Sequence, residues 1–205
     1  IANIQSRRIF KEVTYKISEG SAKNLKNIDI IVEEKPTGEI SAGAGIGTNG
    51  GSFAFDVKEN NYLGEGKNIG FNIEVDAESL KGTLNYTDPN YDFLGNSIGY
   101  YVTSSSNDKS EKGYENKILG AGINTSFEQY NDVYATLGIS ATRDDLDTES
   151  TASDSLKKQS GTFNEISGLY GFTFDKRNRT FMPTDGSVIS FNQSLPIYAD
   201  KSFIA

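Results

Sequence analysis

From Glu39 onward the chain repeats with a period of two, and that period limits the folds open to it. Successive side chains of a strand point to opposite faces, so alternation of apolar and polar residues builds a sheet with two chemically different faces. In Glu39 to Gly47, Ile40, Ala42, Ala44 and Ile46 face one way, while Glu39, Ser41, Gly43, Gly45 and Gly47 face the other. The same pattern recurs in Ser52–Lys58, Asn68–Asp76, Leu80–Thr87, Asn96–Thr103, Lys117–Phe127, Val133–Thr142, Thr162–Phe174 and Ser187–Leu195. It predicts about nine strands, several longer than the usual 5–6 residues. No stretch in this region reads as a helix.

Long alternating strands fit either a soluble sandwich or barrel, or a transmembrane barrel whose apolar residues meet lipid. The polar face favours the membrane. It is dense in Gly, Ser, Asn and Thr, where a soluble surface would carry more Lys and Glu. The connections also divide into two sets. Thr48–Gly51, Ala77–Ser79, Ser104–Gly113 and Arg143–Gly161 fall at one end and lengthen into acidic, Ser-rich loops. Asn60–Gly66, Asp88–Gly95, Glu128–Asp132 and Asp175–Gly186 fall at the other and keep turn chemistry such as Asp88-Pro89-Asn90. Tyr62, Tyr91, Phe93, Tyr130, Phe174 and Phe181 flank this second set, as aromatic girdles do at a membrane interface.

Composition then excludes several activities. The 205 residues include no His and no Cys, so zinc sites, thiolate nucleophiles, disulfides and a Ser-His-Asp triad are ruled out. A net charge of −8 argues against nucleic acid as the partner. The longest aliphatic run, Ile30-Ile31-Val32, is far short of a membrane-spanning helix. With no initiator methionine and no signal peptide, the chain reads as part of something longer.

Residues 1–35 are of a different kind. Ile1 to Phe10 reads as the end of a short helix, with Ile1, Ile4 and Arg8 along one face. Lys11 to Ile17 reads as a strand with Val13, Tyr15 and Ile17 on one side. Ser18 to Asn27 reads as a polar connection, and Ile28 to Glu34 as a second strand. Pro36-Thr37-Gly38 is a linker.

Three motifs need weighing. Gly45-Ile-Gly-Thr-Asn-Gly50 matches the dinucleotide fingerprint, but a strand follows where a phosphate-binding helix is required, so a hairpin turn explains it. Asp144-Asp-Leu-Asp-Thr-Glu149 offers oxygen ligands but lacks the glycine and glutamate positions of a calcium loop; it reads as a solvated acidic loop. Gly43, Gly45 and Gly47 have two readings. They relieve crowding inside a barrel, or they leave a strand short of packing, so that its seam opens and offers backbone groups to another strand.

Several segments resemble the BamA family of outer-membrane protein assembly factors. Val32 to Gly47 is similar to the junction between the last periplasmic POTRA domain and barrel strand one. Asn60-Asn-Tyr-Leu-Gly-Glu-Gly66 and Tyr86-Thr-Asp-Pro-Asn-Tyr91 are similar to the family's first two periplasmic turns. Asp175 to Ser187, ending in Pro-Thr-Asp-Gly, is similar to a later one. The resemblance implies an all-β fold, the N-terminal part of a roughly 16-stranded antiparallel transmembrane β-barrel preceded by the end of an α+β POTRA domain. On that template residues 1–35 are the C-terminal part of the last POTRA domain, 36–38 the linker, and 39–205 about the first nine strands of an incomplete barrel.

The resemblance further implies a non-enzymatic insertase without cofactor, catalytic residue or metal. Its implied place is the bacterial outer membrane, with residues 1–35 in the periplasm. The implied partners are unfolded outer-membrane β-barrel proteins, periplasmic lipoproteins of the assembly complex, and outer-membrane lipids. Client strands would pair with the first barrel strand: Glu39, Ile40, Ser41, Ala42, Gly43, Ala44, Gly45, Ile46 and Gly47. Arg177 and Arg179 stand in a solvated turn, or contact a lipoprotein or a lipid headgroup. A secretion or translocation barrel of the same superfamily, a passive pore, and a soluble β-barrel binding module are the competing expectations.

Overall fold

The computed structural model describes residues 4, 9–22, 24–47, 50–179 and 183–200. Two sheets account for almost all of them. β1 (Phe10–Glu19) and β2 (Lys26–Glu34) form an antiparallel pair. β3 (Gly38–Gly47), β4 (Gly50–Tyr62), β5 (Lys67–Asp76), β6 (Ser79–Asp88), β7 (Ser97–Lys109), β8 (Tyr114–Tyr130), β9 (Val133–Thr148), β10 (Gly161–Asp175) and β11 (Val188–Ala199) form a nine-stranded antiparallel meander. Each strand pairs with its sequence neighbours, so β3 and β11 are the two edges.

The first pair forms because alternation matches across it. Val13 faces Val32, Tyr15 faces Ile30 and Ile17 faces Ile28, giving three apolar cross-strand pairs on one face. The strands run further than the apolar pattern predicts, because Ser18↔Asn27 and Glu19↔Lys26 extend the ladder and Lys26 pairs with the Glu19 carboxylate. The segment predicted as a polar connection is therefore a short turn. The predicted helix falls mostly on residues outside the described set, and Phe10, its last residue, opens β1.

Register in the large sheet sorts residues into rows that run across many strands. One row reads Ile40, Val57, Phe71, Leu84, Val102, Ala121, Ala141 and Ile166. The adjacent row, on the other face, reads Glu39, Lys58, Gly70, Asn85, Tyr101, Gly122, Ser140 and Ser167. One face is thus an apolar belt and the other a field of small and polar groups. Almost nothing is buried: among the described residues the buried apolar set is Ile9, Ala135 and Ala152. Ala135 is covered because it sits between Phe127 and Phe172 on neighbouring strands. A sheet that leaves Phe71, Leu84, Val102 and Ile139 exposed owes its order to the ladder and to an apolar solvent on that face.

Most strands outrun their predicted ends, β4 reaching Tyr62 and β11 Ala199, and on the side of the long loops the excess is shared by neighbours. β7 continues to Lys109, β8 starts at Tyr114, β9 continues to Thr148 and β10 starts at Gly161. Ser104 and most of Asp144–Glu149, predicted as loop, are strand. Beyond the belt both faces are polar, so alternation vanishes while the ladder persists. Polar cross-strand contacts hold it there: Asn107 donates to Asn116 at 3.0 Å and Asn116 donates to Asp144 at 3.5 Å. Two short helical turns also occur where none was predicted, Ser110–Lys112 and Asp154–Lys157. The second is capped by Ser153, whose Oγ accepts from the Leu156 N–H at 3.3 Å. Each is too short to carry an apolar period.

Candidate functional site

The nine residues singled out by the sequence all fall on β3, and β3 is an edge. Its inner side pairs with β4 from Gly38↔Glu59 to Gly47↔Gly50. On its outer side alternate residues point N–H and C=O groups at no strand among the described residues. Glu39, Ser41, Gly43, Gly45 and Gly47 lie on the polar face; Ile40, Ala42, Ala44 and Ile46 lie on the apolar face. Ile40 is 74% and Ile46 94% exposed, the latter because its partner Gly51 supplies no side chain. Within the Gly45–Gly50 motif the described residues are strand: Gly45 to Gly47 end β3 and Gly50 opens β4, paired with Gly47.

The glycines of β3 differ from those inside the sheet. A methyl group placed on Gly43 or Gly47 would meet nothing within 4 Å, and one on Gly45 would meet only the Ser52 hydroxyl at 3.1 Å. On the polar face inside the sheet the space over a glycine is filled from the next strand, whereas Gly82, on the apolar face of β6, is open. Tyr101 lies over Gly122, Asn85 over Gly70 and Asn124 over Gly99, with closest approaches of 2.5, 2.6 and 3.0 Å to such a methyl group. Each of these is a direct cross-strand pair. Interior strands are therefore interlocked through side chains, whereas β3 meets β4 across Gly43↔Ala54, Gly45↔Ser52 and Gly47↔Gly50. On that face the backbone ladder carries the contact, while the apolar face adds the pairs Ile40↔Val57, Ala42↔Phe55 and Ala44↔Phe53.

One end of β3 is fastened. The Asn60 backbone N–H and side-chain amide both donate to the Thr37 carbonyl, at 3.3 and 3.1 Å. The Thr37 hydroxyl donates to the Glu59 carboxylate, which also accepts the Asn61 N–H at 2.7 Å. Thr37, Glu59 and Asn60 were missed by sequence reasoning, although adjacent amides at a turn (Asn60-Asn61) are a recognisable cue for side-chain-to-backbone bonding. The result is a strand clamped at its start, with a smooth polar face and, among the described residues, no strand on its outer side.

The remaining candidates resolve simply. Arg177 turns back on its own strand end, its Nε donating to Asp175 at 2.8 Å. Asp144 and Asp145 belong to β9, and Asp145 accepts two bonds from Arg143, at 2.9 and 3.1 Å. Among the described residues no group of His, Cys, Asp or Glu is placed to hold a metal ion. Tyr91 and Phe93 project at the end of the sheet assigned to the second set of turns, with Tyr130 and Phe174 at the same end. Phe181 lies outside the described residues.

Comparison with known proteins bears on this geometry. Residues 61–204 match the Omp85 superfamily domain. The chain is 26% identical over 193 residues to the outer membrane protein assembly factor BamA of Neisseria meningitidis serogroup B, a match covering 85% of this chain and 24% of that protein. It is 24% identical over 184 residues to the protein of the same name from Neorickettsia risticii, covering 86% of this chain and 24% of that one. The chain thus spans about a quarter of the length of these curated relatives. The crystal structure of BamA from Haemophilus ducreyi lacking POTRA domains 1–3 has the same fold over 95% of this chain and 41% of its own, with a TM-score of 0.69 at 22% identity.

Proposed function

The chain belongs to the Omp85 superfamily, and on that premise we propose that it is the leading part of the barrel of an outer-membrane protein assembly factor, with β3 as the strand on which clients are built. Residues 39–205 are then the first nine barrel strands. Residues 1–35 are the end of the last POTRA domain, on the periplasmic side, and 36–38 are the linker. The separate pairing of β1 with β2 supports that division.

The observation that carries the reading is the pairing of β3: it stands at the end of the sheet among the described residues, and on the polar face β4 puts only Ala54, Ser52 and Gly50 opposite its glycines. Unpaired backbone groups in lipid cost several kcal/mol each, so the edge must be closed by a strand. Closure by a strand that finds no side chains to interlock with is readily exchanged for another. An unfolded barrel protein supplies the replacement: its terminal strand pairs with Ile40 to Ile46 through main-chain bonds, and affinity comes from the ladder whatever the client's sequence. No covalent step or nucleotide is required, since each bond formed in lipid replaces one that the client would otherwise leave unmade.

Belt height supports the same role. On β3 the apolar face runs from Ile40 to Ile46, about 20 Å of strand at roughly 3.3 Å per residue. On β10 it runs from Ile166 to Phe174, about 26 Å on the same scale. The apolar faces of β5, Ile69 to Val75, and β6, Leu80 to Tyr86, are as short as that of β3, so this whole side of the sheet would thin the adjoining bilayer and lower the barrier to insertion there.

The test is a disulfide trap. The chain contains no cysteine, so Ser41→Cys in the full-length protein gives one defined thiol in the strand. A client barrel with a cysteine in its terminal strand should form a mixed disulfide with it during assembly. Efficient insertion of that client with no trapped species at Ser41→Cys, Gly43→Cys or Gly45→Cys would sink the reading.

A further inference from the structure

A cavity of about 930 Å³ lies at the end of the sheet where β4 turns into β5 and β6 into β7. Its walls include Ile9, just before β1, Asn60 and Asn68 from β4 and β5, and Tyr91, Phe93 and Leu94 from the β6–β7 turn. Those last three side chains are conspicuous. Phe93 is 98%, Leu94 73% and Tyr91 64% exposed, on a connection only eight residues long, from 89 to 96.

The turn that presents them is well ordered. One oxygen of the Asp92 carboxylate accepts the N–H groups of Leu94 and Asn96, at 2.9 and 3.1 Å, and the other accepts the Asn96 side-chain amide at 2.7 Å. The Tyr91 N–H donates to the Asn96 carbonyl at 2.8 Å, and Gly95 supplies the positive φ that closes the turn. Large apolar side chains held outward on a hydrogen-bonded turn have lost their freedom to collapse, which is the condition of an interaction surface.

Two features identify the occupant. First, Asn68 lies in the row Asn68, Thr87, Gly99 and Asn124 on the polar face, so the cavity opens on the side away from the apolar belt. Second, the lining offers the amides of Asn68 and Asn90 beside the apolar groups, and among the described lining residues the one carboxylate, Asp92, is occupied by its own turn. Amides and aromatics without net charge suit an extended peptide whose side chains alternate between apolar and polar. The cavity is also joined to the free edge, because Asn60 donates to Thr37 and β3 begins at the next residue.

We propose that this cavity receives a strand-forming segment of an unfolded polypeptide and delivers it to the start of β3. The proposal rests on the assembly reading above and adds to it a first contact site with a preference for aromatic and aliphatic side chains. Phe93 and Leu94 grip the segment, and the asparagines bond its backbone.

The experiment uses the full-length protein in lipid nanodiscs and a fluorescent synthetic peptide in which Tyr and Val alternate with Ser and Asn. Phe93→Ser should weaken peptide binding about tenfold, the effect of losing one buried aromatic contact, and Leu94→Ser somewhat less. Since Phe93 is almost wholly exposed, the variant keeps its fold, which a heat-modifiable gel shift verifies. A photocrosslinker at position 93 should capture the peptide, and one at Ala42 should capture it as well. Unchanged affinity in Phe93→Ser, or crosslinks from position 93 only to lipid or to the chain's own N-terminal segment, overturns the docking site. If Ala42 still captures the peptide in that case, the edge reading stands alone. Capture at position 93 with none at Ala42 supports the docking site and overturns the edge.

Discussion

Gly43 and Gly122 are both glycines on the polar face of the same sheet, yet they do opposite things. Over Gly122 lies the ring of Tyr101, so the missing side chain is a socket and the β7–β8 seam is keyed. Over Gly43 there is nothing, so the missing side chain is a smooth face and the seam beside it is unkeyed. Glycine therefore strengthens the body of the sheet and loosens its edge. What differs is the neighbour. On the polar face the interior glycines face Tyr, Asn or Thr, while those of β3 face Ala54, Ser52 and Gly50. On the proposed reading, a strand that exchanges partners needs its ladder intact and little side-chain interlock on its polar face, and the pairing of β3 with β4 is consistent with that reading.

The sharpest way to break this contrast is to fill the two kinds of glycine alike. Gly122→Val should destabilise the folded protein by about 1–3 kcal/mol, because the new side chain must displace the Tyr101 ring. Urea unfolding in detergent, followed by loss of the heat-modifiable band, measures it. Next in size is the clamp at the start of β3. Glu59→Ala removes the acceptor for both the Thr37 hydroxyl and the Asn61 N–H and so loosens the clamp. Hydrogen exchange should quicken at Asn61, while β8 and β9 stay protected.

Gly43→Val should leave stability within about 1 kcal/mol of the parent or raise it slightly, because the space is open and a β-branched residue favours strand. Its cost should instead be in client assembly, measured as insertion rate. Stability losses equal to those of Gly122→Val would erase the distinction between edge and interior. The smallest effect concerns the β6–β7 turn. Amide hydrogen bonds, the Asn96 N–H foremost, hold the Asp92 carboxyl below its ordinary value. The turn's stabilisation is thus complete above the ordinary carboxylate range of about 4 and is lost as pH falls through the lower folded value. Exchange at the Leu94 and Asn96 amides should accelerate only in that acidic window. Acceleration near neutral pH would show that Asp92 does not order the turn.

Alternation made the nine strands, their faces and the even spacing of the turns legible, since a period of two follows from backbone geometry alone. It failed where both faces meet water. Past Thr103 and Thr142 the outward residues become Ser104 and Arg143, and the strands run on without an apolar pattern to announce them. It was silent too on Tyr101 over Gly122, because a cross-strand contact depends on register between segments about 20 residues apart. The clamp of Thr37 by Glu59 and Asn60 was hidden for the same reason.

The sequence by itself determined an antiparallel sheet with one lipid-compatible face and marked β3 as glycine-rich, leaving two meanings for those glycines. Tertiary structure adds what lies opposite each of them. Whether a glycine is a socket or a bare face is a property of the residue across the ladder, and that residue is chosen only when the strands pair. The same pairing placed Phe93 and Leu94 beside Asn68 and Ile9, far apart in the chain, around one cavity. Local periodicity fixes which way a side chain points; only the assembled sheet fixes what it meets.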